Sequence, residues 1–72
     1  MSPAAELAAA LHSTITDHMG DVRINVGSGS FIYCSVRGLV RLQRYGKPVV
    51  TLGQWSDGTD ALARAYRREV AA

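Results

Sequence analysis

The sequence predicts an α+β fold, a two-layer sandwich in which two helices cover one face of an antiparallel sheet. Three observations lead there. Apolar residues recur at helical spacing near both ends of the chain, a period of two runs through the middle, and Gly, Ser and Pro mark the changes between them. The order is α-β-β-β-α, with a fourth strand if Gly38 divides one long run into two. At 72 residues, 47% of them hydrophobic and 19% charged, the chain has room for a single domain spanning 1–72 and is too apolar for a disordered tail.

Ser2 followed by Pro3 reads as an N-cap with proline at the first helical position, where its missing N–H costs nothing. Leu7, Leu11 and Ile15 then recur every fourth residue and Gly20 offers a stop, so the spacing predicts a helix over 3–19. From Asp21 the period changes: Val22, Ile24 and Val26 alternate with Arg23 and Asn25, the pattern of a half-buried strand. Gly27 to Ser30 make a turn. Alternation resumes with Ile32, Cys34 and Val36 and keeps its parity through Gly38 to Val40 and Leu42, so the run is either one strand bent at Gly38 or two strands separated there. Tyr45, Gly46 and Lys47 supply a turn before PVVTLGQW, the last strand, with Pro48 at its entry. Leu62, Tyr66 and Val70 are spaced for a second helix from about residue 59 to the end, acidic at its start and arginine-rich toward its finish. Trp55, at the corner between strand and helix, is placed to close the core.

Both helices need an apolar surface, and the even-numbered side of the sheet supplies it with Val22, Ile24, Val26, Ile32, Cys34, Val36, Val40 and Leu42. The other side is left bare. Period two assigns to it Arg23, Asn25, Phe31, Tyr33, Ser35, Arg37, Leu39, Arg41, Gln43 and Tyr45. Arginine, tyrosine and phenylalanine on an exposed face are the residue types enriched at binding hot spots. Arg23, Phe31, Tyr33, Arg37, Leu39, Arg41 and Tyr45 are therefore the expected partner-binding residues.

The lone Cys34 rules out an internal disulfide, so a chain of this size is expected to gain support from another subunit, and a single thiol points to a reducing, cytoplasmic setting. MSPAAELAAALH lacks a basic leader and carries Glu6 within its apolar run, which makes it a poor signal peptide. No run approaches the roughly 18 apolar residues of a membrane span. The formal net charge of +2 is mild for a nucleic-acid binder.

No constellation carries catalysis. His12 and His18 are six apart, off the three- or four-residue spacing that shares a helix face, and so form no ready metal pair. Cys34 lies in an apolar strand pattern and reads as a buried small hydrophobe. Gly27-Ser28-Gly29 is followed by another strand, where a phosphate-binding loop needs a helix. No catalytic, cofactor-binding or metal residue is assigned. The α-β-β-β-α order is similar to that of the double-stranded RNA-binding domain, but the chain has no Gly-Pro-x-His turn between strands. Asp57 and Asp60 also stand where that domain opens its second helix with lysines. The expectation is a non-enzymatic module that acts by protein contact, with a partner or its own copy, through the odd-numbered face. Nucleic-acid binding by the same face is the alternative, with aromatic rings stacking bases and arginines reaching phosphates. Asp21, Asp57 and Asp60 are expected near enough to blunt that basic stripe.

Overall fold

A computed structural model describes residues 2–71, with His18 described by its backbone alone. Helix α1 (Pro3–Ala10) leads into strands β1 (Thr14–His18), β2 (Asp21–Gly27), β3 (Ser30–Cys34), β4 (Leu39–Gln43) and β5 (Val50–Gln54). A single 3₁₀ turn (Trp55–Asp57) then precedes helix α2 (Thr59–Ala71). The five strands lie side by side in chain order, each antiparallel to the next. The fold is α+β with a helix at each end, as the sequence predicts. Its sheet has five strands rather than three or four, so the shared element order with the double-stranded RNA-binding domain is lost.

The additional strand comes out of the predicted 3–19 helix. Ser2 does cap α1, accepting from the Ala5 N–H at 3.2 Å with Pro3 in the first turn. The helix ends nine residues early, however, through a cap that sequence spacing hides. Ser13 N–H donates to the Ala8 carbonyl at 2.8 Å and His12 N–H to Ala9 at 3.1 Å, the Schellman pairing. The residue that turns left-handed is His12, with φ 52°, where glycine is the usual occupant. Beyond it, Thr14, Ile15 and Thr16 are β-branched and favour the strand. Met19 and Gly20, both at positive φ (53° and 88°), then form the two-residue turn of a β1–β2 hairpin.

Gly38 separates two strands rather than bending one. It stands at φ 81° and closes the Ser35–Gly38 turn by donating to the Ser35 carbonyl at 2.9 Å. Parity survives because the turn holds an even number of residues, so Cys34 faces Val40 and Ile32 faces Leu42.

Ile24, Ile32, Val40 and Leu42 share one side of the sheet through their cross-strand pairing. They form one core with Leu7 and Ala8 of α1 and Leu62 and Ala63 of α2. Both helices thus meet the even-numbered side, with Val26, Leu52, Trp55 and Tyr66 packed against its margin. Burying each large aliphatic contributes about 1.5–3 kcal/mol, and α1 supplies only one of them.

That short helix explains where the predicted core falls short. Cys34 is exposed, Val22 is 41% accessible and Val36 is fully so. Val36 sits in the turn before Gly38, outside any strand. Val22 and Cys34 lie past the cover of α1 and line an open cleft with Pro3, Ala4 and Trp55.

Candidate binding face

Pairing register lays out the side of the sheet opposite the core. One row across the five strands reads Thr16, Arg23, Tyr33, Arg41 and Thr51, and the next reads Thr14, Asn25, Phe31 and Gln43. Both rings stand on β3, the middle strand, with an arginine on each neighbouring strand. These positions follow from the period of two, which sends Ile24, Ile32 and Leu42 to the core and their odd-numbered neighbours outward.

The centre of the face is organised. The Arg23 guanidinium carbon lies 4.6 Å from the centroid of the Phe31 ring, within cation–π range. The Phe31 and Tyr33 centroids are 5.7 Å apart at a tilt of 49°, an arrangement that aromatic quadrupoles favour. Phe31, Tyr33, Leu39, Arg23 and Arg41 are half-buried, whereas Thr14, Thr16, Asn25, Gln43, Thr51 and Gln54 are exposed around them. Asn25 donates from Nδ2 to Thr16 Oγ1 at 2.6 Å, fixing one corner of this polar rim. Aromatic and arginine residues at the centre with short polar ones at the border match the anatomy of binding interfaces.

Charge at the centre of the face is positive. Among the described residues the one salt bridge joins Arg44 to Glu69 on α2 at 3.7 Å, leaving Arg23 and Arg41 without a carboxylate partner. Asp57 is turned to the helix side: its carboxylate accepts from Gln54 N–H at 2.8 Å and would sit 2.5 Å from a Cβ built on Gly53, which pairs with core residue Val40. Asp60 belongs to the first turn of α2. The expectation that both would blunt the basic stripe is therefore corrected. The acid that register does place on this side, Asp21, stands at the end of the β1–β2 hairpin, opposite His18.

No protein-family model matches the chain, and no curated protein or solved structure matches it.

Of the seven expected partner-binding residues, five lie together on the face: Arg23, Phe31, Tyr33, Leu39 and Arg41. The other two do not. Arg37 falls in the Ser35–Gly38 turn at the end of β3, and Tyr45 in the turn after β4. Tyr45 is 90% accessible and lies against the Ser28–Gly29 turn, where a Cβ added to Gly29 would come within 3.2 Å of its own Cβ. Strand parity points both residues to the odd side, but the backbone leaves the sheet before it reaches them. Thr14, Thr16, Thr51 and Gln54 belong to the face and were missing from the expected set. For Thr14 and Thr16 the signal was the β-branched Thr-Ile-Thr run. For Gln54 none existed, because a bulge between Val40 and Arg41 in the β4–β5 ladder reverses parity ahead of it.

The chemistry-bearing residues elsewhere stay apart. Among the described residues no three His, Cys, Asp or Glu side chains gather as metal ligands. The His18 side chain lies outside the described residues, so the pairing of His12 with His18 is read from backbone alone: one ends α1 and the other ends β1. No described helix is long and apolar enough to cross a membrane.

Proposed function

We propose that the protein is a non-enzymatic binding module of a reducing, cytoplasmic setting, whose open sheet face docks a protein partner that brings carboxylates. The observation that carries this reading is the pair of arginines flanking Tyr33 with no acid of their own to neutralise them. Guanidinium groups held by the sheet and by ring stacking are prepared for bidentate pairing with Asp or Glu. The same charge argues against this face meeting its own copy, since Arg23 and Arg41 would then approach like charges. Five strands about 4.8 Å apart, each near 15 Å long, give a platform of roughly 300 Å². A stable interface takes about 800 Å² from each partner, so the face suits a partner loop or segment and a transient contact.

The test is capture from an extract followed by titration of the captured segment. A Tyr33→Ala, Arg41→Ala double variant should lose the partner at least tenfold, while Arg64→Ala, Arg68→Ala on the exposed side of α2 retains it. Equal capture by both variants overturns the reading.

Single-stranded nucleic acid is the second reading, favoured by the position of Asp57 and Asp60 on the helix side. Adjacent rings on a sheet with arginines beside them can stack bases. Fluorescence titration of a twelve-nucleotide oligothymidylate decides it: binding that collapses as salt rises supports nucleic acid, and absence of binding leaves the protein partner.

A further inference from the structure

The sheet has two free edges, and they are not built alike. Along β5, Pro48 precedes the strand, the ladder to β4 carries a bulge, and Gly53 interrupts the side-chain row. These are devices that keep a sheet edge from recruiting another strand. β1 has no proline, bulge or glycine, and the one acid it carries, Asp17, falls by register on the helix side with Ile15. It runs Thr14-Ile15-Thr16-Asp17-His18 without proline, glycine, lysine or arginine, and pairs with β2 in unbroken register at all five positions.

The hairpin turn fixes which of its backbone groups are free. A two-residue turn at Met19–Gly20 makes His18 and Asp21 a hydrogen-bonded pair, and alternation makes Thr16 with Arg23 and Thr14 with Asn25 the next such pairs. The N–H and C=O of Ile15 and Asp17 therefore point away from β2, to an edge on which no further strand of the described residues lies. Ile15 beside them is 41% accessible.

We propose that this edge pairs antiparallel with β1 of a second copy about a twofold axis through Thr16, joining the two sheets into one. In that register Ile15 of each copy exchanges both backbone hydrogen bonds with Asp17 of the other, and the two Thr16 side chains meet as a close cross-strand pair, an arrangement that threonine favours. The Asp17 carboxylate is already engaged, accepting from Gly20 N–H at 3.0 Å at the hairpin end. Helix α1 contacts β1 and β2, so the twofold sets the two α1 helices on the same side of the joined sheet. A core of eight buried side chains among the described residues gives such a chain reason to gain from a second subunit. The axis is normal to the sheet, so both open faces look the same way and remain free. The contact is independent of the partner docking proposed above.

Sedimentation equilibrium of the full chain, from about 10 μM to about 1 mM, tests the contact. The weight-average mass should rise from one chain toward two. Ile15→Pro removes an outward N–H and places a ring in the seam, and should weaken the dimer roughly 100-fold while the monomer's circular dichroism is kept. If that variant fails to fold, Thr16→Lys sets two like charges face to face and should dissociate the dimer as well. In a Cys34→Ser background, Thr16→Cys should oxidise to a disulfide-linked dimer much faster than Thr51→Cys at the opposite edge. A single chain at every concentration overturns the proposal, as does equal crosslinking at the two edges. So does a dimer that Tyr33→Ala, Arg41→Ala dissociates, since the open face would then be the self-contact.

Discussion

The two faces of the sheet come from the same strands, yet they are held in place by different forces. On the even side Ile24, Ile32, Val40 and Leu42 are almost wholly removed from water and are sealed by helices that contribute Leu7 and Leu62. On the odd side Phe31, Tyr33 and Leu39 are only half-covered, by one another and by the guanidinium of Arg23. The first face cannot be changed without losing the fold. The second can be, because its apolar atoms were never fully withdrawn from solvent, and this tolerance leaves it available for binding.

Substitutions should separate the faces by the size of their effects. Leu42→Ala opens a cavity in the centre of the core and is expected to cost about 2–5 kcal/mol, a large part of the stability of so small a domain. Urea denaturation should give a partly unfolded protein even without denaturant. Gly53→Ala tests the seam between sheet and helix: the added methyl would meet the Asp57 carboxylate and come within 3.2 Å of Leu62. A loss of about 1–3 kcal/mol by the same measurement is expected. His12→Gly acts in the other direction, since glycine adopts the left-handed cap of α1 without strain. It should add about 0.5–1 kcal/mol and raise the melting temperature by a few degrees. Smallest is Arg23→Gln on the open face, which removes the stacking on Phe31 and should cost no more than about 0.5–1 kcal/mol. If Arg23→Gln proved as damaging as Leu42→Ala, the open face would be structural and the contrast between the faces would fail.

Much of this layout was legible from alternation. A period of two needs no knowledge of neighbours to divide a strand into two sides, so alternation alone groups Arg23, Phe31, Tyr33, Leu39 and Arg41. The errors cluster where the chain leaves regular structure. Helix periodicity carried through Leu11 to Ile15 although His12 had already turned the backbone, because a non-glycine left-handed cap looks like any other helical residue in sequence. Arg37 and Tyr45 kept the parity of the strands they follow but belong to turns. Cys34 and Val22 had the pattern of core residues and lacked only a helix long enough to reach them.

Local sequence decided which side chains each strand sends to either side, where α2 begins and how Ser2 starts α1, since these depend on residues a few positions apart. Where α1 stops, how far its cover extends over the sheet, which aspartates face the helices and which strands form the sheet's edges were decided only by the assembled tertiary structure. Each of those depends on a competition between hydrogen bonds or packing surfaces contributed by segments distant along the chain.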